Sequence, residues 1–346
     1  MKRTRTRLYV ILMLIVLVFS ASLTAQKKDK DKDKDEHKAK KTEKAANLPA
    51  VIWHDPGDVA SLNLIYGAGG KEDAPDPNAT YTFVKEDSEG TSPKFDVKDE
   101  QGRKWRVKLG QEPQSETAAT RLLWAAGYFV DEDYYLEEVK VANMPKKLHR
   151  GADFVSADGT VHKARLELKS KEVKKLGPWD WFDNPFQDKQ ELNGLRVMMS
   201  LVNNWDISSV NNSVYVVGDE RRYVVSDVGA SFGNTGNNFR RSKSRPKDYA
   251  DSKFIEKSNE DFVDFEMHSR PFFLSVVNAP NYKARTRMEE IPKHIPRADA
   301  KWLGERLAQL SEEQINDCFR AAGYSPEEVT ILTETVRKRI AELNAL

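Results

Sequence analysis

The chain has one cysteine, Cys318, in 346 residues, so it can form neither an internal disulfide nor a cysteine metal cluster. Its six histidines are scattered, none at metal-ligand spacing with another, and no His-Glu-x-x-His occurs, which removes the common zinc hydrolases. No apolar run reaches the roughly 20 residues that a spanning helix needs. The longest, Leu8 to Leu23, counts 16 and comes after the basic stretch Met1 to Arg7. That order of basic, apolar and small residues predicts a secretory signal over 1–25, cleaved near Ala25 or kept as an uncleaved anchor. The rest of the chain is then extracytoplasmic, periplasmic or secreted, with the membrane touched only through the N-terminus. Excess positive charge is also missing from the body. Residues 1–46 hold 13 of the 55 Lys/Arg and 6 of the 54 Asp/Glu, which leaves a net charge near −6 and argues against a nucleic-acid partner.

Behind the signal lies a solvated linker over 26–46, almost all Lys, Asp, Glu, His and Ala with almost nothing to bury. The remaining 300 residues can bury a sizeable core as one two-lobed domain or two domains. Three β-like runs, Tyr81 to Lys85, Phe95 to Lys98 and Trp105 to Leu109, are divided by turn compositions and predict a meander. A helix capped by Ser115 comes next, with Ala118, Ala119, Leu122, Leu123 and Ala126 as its apolar face and Gly127 as its stop. Tyr134 to Val141 and Val161 to Leu168 are two further strands. After the aromatic loop Pro178 to Pro185, Glu191 to Val202 reads as a buried helix, and Ser213 to Val217 with Tyr223 to Val225 as a hairpin. The last third is helical over Ala300 to Leu310, Ser311 to Ala322 and Ser325 to Leu343, with Ser311 and Ser325 as caps.

Phosphoryl transfer requires a cation on the nucleotide phosphates, a carboxylate at the attacking hydroxyl and oxygen ligands for magnesium. Each occurs in sequence order. Lys108 ends the third strand, and Glu116 in the next helix can hold it as an ion pair, with Lys104, Arg106 and Glu112 as neighbouring competitors. Alternation puts Lys104, Arg106 and Lys108 on one face of that strand and Trp105, Val107 and Leu109 on the other. Directly after the buried helix, Asp206 and Asn211 have the Asp-x-x-x-x-Asn spacing of a kinase catalytic loop. Sixteen residues later, Asp227-Val-Gly229 leaves an apolar strand where a metal-binding Asp-x-Gly belongs. The bland alternatives are an edge-strand lysine and Asx side chains that satisfy loop backbone.

On these residues, the segment from Glu89 to Gly233 resembles the HipA-type and phosphatidylinositol 3-/4-kinase-like branch of the protein-kinase-like superfamily. Val107-Lys108 with Ser115-Glu116 is similar to that branch's lysine and helix glutamate, Asn203 through Asn211 to its catalytic loop, and Asp227-Val-Gly229 to its metal motif. Glu89-Gly-Thr-Ser-Pro-Lys94 is similar to the first-hairpin loop of HipA-type kinases. The resemblance implies an α+β bilobal fold, with a small antiparallel-strand lobe over 47–170 and a mostly helical lobe over 171–346. It also implies ATP with Mg2+ or Mn2+ and an acceptor bearing a hydroxyl, protein or small molecule or lipid. Ser88, Gly90, Thr91, Ser92 and Lys94 would close over the phosphates, Lys108 with Glu116 would hold them, Asp206 would position the acceptor, and Asn211 with Asp227 would hold the metal. The chain departs from ordinary protein kinases in lacking Gly-x-Gly-x-x-Gly and in having Trp205 before Asp206. ATP is scarce outside the cytoplasm, so an exported kinase needs its own donor supply. The rivals are a catalytically inactive kinase-like binding protein and, on the tryptophan loop alone, a carbohydrate-binding module.

Overall fold

The computed structural model describes residues 47–90, 92–169, 174–235, 241–268 and 274–346. The expected signal 1–25, the linker 26–46 and Thr91 lie outside them. The described residues fall into two units, a small one of 47–49 with 219–221 and a large one of 50–218 with 222–346. In the small unit, Arg221 donates its backbone N–H to Pro49 O at 2.8 Å and its Nε to Leu48 O at 2.9 Å.

The large unit is α+β, as the sequence predicts, with strands leading and helices trailing. After β1 (Ala50–Val51) come β2 (Thr80–Asp87), β3 (Lys94–Lys98), β4 (Lys104–Lys108), α1 (Glu112–Ala125), β5 (Asp133–Ala142) and β6 (Thr160–Leu168). The expected meander is part of something larger, a closed barrel in the order β2-β3-β4-β6-β5. Its neighbours are antiparallel except where β2 meets β5 in parallel, Thr80 opposite Lys140. Period-two alternation fills the barrel with Phe95, Val97, Trp105, Val107 and Leu166, and turns Arg106 and Lys108 outward. The buried Trp105 indole donates to Asp99 at 3.0 Å, so its one polar atom is satisfied.

Helix α1 starts three residues before the expected Ser115 cap. Gln111 is its N-cap, and Pro113 in the first turn lacks only an N–H that the helix does not use. Ser115 therefore lies inside the helix, and its hydroxyl donates to Gly229 O at 2.6 Å as a tertiary contact. Gly127 stops the helix at φ 94°, where a Cβ would lie 2.2 Å from His54 O, so only glycine fits.

Next come β7 (Lys174–Gly177), α2 (Gln190–Leu201), β8 (Asn212–Val217) and β9 (Glu220–Val225), then α3 (Pro246–Asp251), β10 (Ile255–Ser258) and β11 (Phe262–Phe265). They lead into α4 (Leu274–Val277), α5 (Ala279–Glu289), β12 (Ile295–Pro296), α6 (Arg297–Leu307), α7 (Glu312–Arg320) and α8 (Pro326–Asn344). Ser311 and Ser325 cap α7 and α8 as expected, each in a full capping box with Gln314 and Glu328. Two apolar cores result, one inside the barrel and one joining α1, α2 and the C-terminal helices. The tryptophan loop belongs to the second, with Trp179 and Trp181 buried there, which leaves no exposed indole face on these two for a sugar.

Arg339 of α8 is buried, and its guanidinium serves groups that a helix end leaves open. It donates to Leu201 O at 2.9 Å, Ser200 O at 3.2 Å, Asn203 Oδ1 at 2.8 Å and Ser252 Oγ at 2.8 Å. Arg339→Met leaves Asn203 Oδ1 without a donor, while Leu201 O keeps the Tyr249 hydroxyl and Ser200 O the Asn203 N–H, so it is expected to lower the unfolding free energy by about 2 kcal/mol in urea titration. A loss under about 1 kcal/mol would mean that water replaces the guanidinium there.

Candidate active site

Lys108 points outward from β4 yet is buried, because α1 lies across it. Its ammonium sits 2.7 Å from Glu112 Oε2, 2.9 Å from Glu116 Oε2 and 3.2 Å from Asp227 Oδ1. Burial alone would lower this ammonium, but Glu116, Asp227 and Glu112 outweigh it and hold the pKa above the usual lysine range. Glu116 is buried as well, and its second oxygen takes Arg165 of β6 at 3.2 Å. Burial pushes its carboxyl up, against the pull of Arg165 and Lys108. Glu112 is shared with Lys243 and with the Ser92 hydroxyl at 2.7 Å. Although burial opposes it, Lys108 and Lys243 hold this carboxyl down at about 2.

The network continues beneath α1. Arg165 reaches Glu167 at 2.8 Å and Asp133 at 3.4 Å, and Asp133 takes Arg121 at 3.0 Å. Glu112, Glu116 and Asp227 have ligand oxygens within 4.8 Å of one another, but the Lys108 ammonium already fills the space they enclose.

The loop after α2 is fixed from its first residue. Asn203 turns the chain at φ 55° and donates to Gly233 O at 2.7 Å. Asn204 donates to Asp227 O at 3.4 Å and accepts from the Asp206 N–H at 3.2 Å. Asn211 donates to Asp206 O at 2.7 Å, and its own carbonyl accepts the N–H groups of Ser226 at 2.9 Å and Asp227 at 3.3 Å. These bonds bring Asp206, Asn211 and Asp227 together on two adjoining loops. Asp227 Oδ1 accepts the Gly229 N–H at 3.2 Å besides Lys108, while Oδ2 accepts no hydrogen bond from a described residue. The Asp206 carboxylate pairs with Arg285 of α5 at 2.8 Å.

Lys108, Glu116 and Asp227 thus converge, and the loop of Asp206 and Asn211 is hydrogen-bonded to the Asp227 backbone. Among the expected phosphate-loop residues, Ser88 and Gly90 are exposed, Ser92 holds Glu112, and Lys94 lies 3.8 Å from Asp87. Arg150 clamps this loop through Gly90 O at 2.6 Å, Asp87 O at 3.3 Å and Glu89 O at 3.4 Å. Sequence reasoning missed Arg150, Arg165, Lys243 and Arg285. Arg165 had a signal, since it shares the outward register of β6 opposite Lys108. Gly229-Ala-Ser231-Phe-Gly233 also spells the Gly-x-Ser-x-Gly of a hydrolase elbow. Ser231 is buried and spends its hydroxyl on Val228 O at 2.7 Å, so it is no nucleophile.

A cavity of about 650 Å3 opens beside this network, lined by Arg106, Asp131, Glu167, Lys169, Tyr215 and Val224 among others. It does not include Lys108, Asp206 or Asp227. Within it, loss of water and the neighbouring Glu167 push the Asp131 carboxyl up to about 7. Glu167 goes the other way, since Lys169 and Arg165 hold it at about 2 despite burial.

No family model and no curated protein matches this chain. Solved structures do. The Helicobacter pylori proinflammatory kinase CtkA is 11% identical over 77% of this chain and 94% of its own, with a TM-score of 0.38. The Golgi casein kinase with Mn/ADP bound is 10% identical over 78% of this chain and 72% of its own, at 0.41. The amicoumacin kinase hAmiN, in complex with AMP-PNP, Ca2+ and Ami, is 10% identical over 76% of this chain and 88% of its own, at 0.21. All three are kinases.

The raised Asp131 carboxyl has a consequence for stability. Between its ordinary 3.8 and about 7, the folded protein binds a proton that the unfolded chain has released, so stability falls as pH rises through that window and levels off above it. Asp131→Asn removes the slope. Its melting temperature should match wild type near pH 4 and exceed it at pH 8 by several degrees. Equal melting at pH 8 would show that the carboxyl titrates normally.

Proposed function

We propose that this chain is an exported atypical kinase that transfers the γ-phosphoryl group of ATP to a hydroxyl acceptor. The observation that carries the reading is the Lys108 ammonium fixed 2.9 Å from the buried Glu116 and 3.2 Å from Asp227, with the Asp206 to Asn211 loop hydrogen-bonded to the Asp227 backbone. In this reading residues 47–170 form the nucleotide-gripping lobe and 171–346 the acceptor lobe. The signal makes the protein periplasmic or secreted, and the HipA-type and phosphatidylinositol-kinase-like branch is the kindred group.

Lys108 grips the α- and β-phosphates while Glu116 keeps it from swinging away. The hairpin loop of Ser88, Gly90, Thr91, Ser92 and Lys94 covers them, and Arg150 holds the carbonyls of Asp87, Glu89 and Gly90 beside it. Asp206 orients the acceptor hydroxyl. The acceptor oxygen bonds to the γ-phosphorus, the bond to the bridging oxygen breaks, ADP leaves, and the acceptor proton passes to Asp206.

Divalent metal fits the residues present. Asp227 Oδ2 accepts no hydrogen bond from a described residue, Asn211 is tied to Asp227 through its backbone, and hard oxygen donors of this kind suit Mg2+ or Mn2+. When bound, the ion neutralises charge on the β- and γ-oxygens.

Mg-ADP titrated into the full chain is expected to raise the melting temperature by mass action, about 2.7 kcal/mol of stability at 100 times Kd. Asp227→Asn should lose that shift. Asp206→Asn should keep it and lower transfer at least about a hundredfold, read as added phosphate by intact mass or as ADP released. A wild-type chain that binds nucleotide and transfers nothing to any hydroxyl is the non-catalytic binding protein instead.

A further inference from the structure

The segment Asn203 to Asn212 contains neither lysine nor arginine, so the loop carrying Asp206 brings no cation of its own to the point where phosphoryl charge develops. The structure supplies one from elsewhere. Arg285, on α5 and 79 residues downstream, holds Asp206 Oδ1 at 2.8 Å with Nη1. Its side chain is 17% exposed and that of Asp206 36%, so the pair is sheltered but open on the carboxylate side. Asp206 Oδ2 accepts no hydrogen bond from a described residue, and the Nε and Nη2 of Arg285 donate to none. The geometry leaves one carboxylate oxygen and two guanidinium donor groups of this pair without a described partner.

The helix is docked on the same surface at a second point. Arg287 pairs with Asp180 at 2.9 Å and lies 4.9 Å over the Phe182 ring, and the other Asp180 oxygen accepts the Ser209 hydroxyl at 2.7 Å. Ser209 lies three residues after Asp206, so the contact that holds α5 also holds the loop.

Resting on the phosphotransfer reading, we infer that Arg285 is a catalytic residue for transfer, the cation that orients Asp206 and offers its remaining N–H groups to the departing γ-phosphoryl. An arginine supplied from outside the nucleotide-binding loops stabilises phosphoryl charge in the same way in other phosphotransfer enzymes. A pair that merely blocked Asp206 would occupy both carboxylate oxygens or bury them. Here one oxygen stays open.

The test uses the full chain with Mg-ATP, and ADP with aluminium fluoride as the probe of the transferring phosphoryl. Arg285→Ala should lower kcat for ATP turnover about a hundredfold or more, as loss of one preorganised donor does, with KM for ATP within about threefold of wild type. ADP should bind it as tightly as wild type, while the ADP fluoroaluminate complex should weaken by a similar hundredfold. Arg285→Lys should recover part of both losses, and Lys283→Ala, an exposed cation on the same helix, should change neither. Turnover by Arg285→Ala that is unchanged or faster would overturn the inference and make α5 a lid. Nucleotide binding with no discrimination against the fluoroaluminate complex would overturn it too. A wild-type chain that binds no nucleotide would sink the phosphotransfer reading itself, and the inference with it.

Discussion

The structure hangs on one buried carboxylate. Glu116 lies on α1 with an ammonium from β4 on one oxygen and a guanidinium from β6 on the other, at 2.9 and 3.2 Å. Stripping a carboxylate of water costs several kcal/mol, recovered only when partners sit in good geometry. That makes the pair a poor source of net stability and a strict judge of position. Should α1 shift along the barrel by one turn, about 5.4 Å, Glu116 would face no cation and Lys108 and Arg165 would lose a shared anion. From this point the charges alternate outward in both directions, through Arg165 to Asp133 and Arg121, and through Lys108 to Asp227. The barrel, the helix and the Asp227 loop are therefore registered on one another by electrostatics, while the two apolar cores supply the stability.

A second support holds the other half of the site. Asn203 adopts a left-handed backbone that ends α2, where the carbonyls of Ser200 and Leu201 also accept from outside the helix. Arg339 collects those carbonyls and the Asn203 amide oxygen in one planar fork, and Asn203 and Asn204 then tie the loop to Gly233 and Asp227. A lysine could not do this, since one ammonium cannot face carbonyls spread across a helix end and a neighbouring loop. Asp206 is thus held through a helix whose sequence lies more than a hundred residues away.

These distances along the chain explain what the sequence disclosed. Strand alternation announced which side of β4 carries Lys108, because the signal lies within five residues. The capping boxes at Ser311 and Ser325 were equally local. Ser115 misled because a serine at a helix start usually caps it. Here Pro113 let the helix begin earlier, and the hydroxyl found Gly229 instead. Closure of the barrel through parallel β2 and β5 leaves no trace in either strand, since pairing is decided by partners some sixty residues apart. Lys243, Arg150 and Arg285 were illegible for the same reason: an ion pair has no fixed spacing, and a sequence with 55 Lys/Arg offers too many candidates.

Electrostatics also sets the order in which ligands can enter. Around Lys108 stand three carboxylates, Glu112, Glu116 and Asp227, of which Lys243 and Arg165 neutralise two. Asp227 is left to Lys108 alone, it is the most exposed of the three at 43%, and its Oδ2 accepts no hydrogen bond from a described residue. A polyphosphate brought alone to Lys108 would compete with the Asp227 carboxylate for the same ammonium at close range, where the local dielectric is well below that of water. Bound together with a divalent cation, the same polyphosphate would turn the competition into coordination. On the proposed reading, nucleotide and metal affinity would therefore be coupled through Asp227, and a ligand lacking either charge partner would gain little from the lysine.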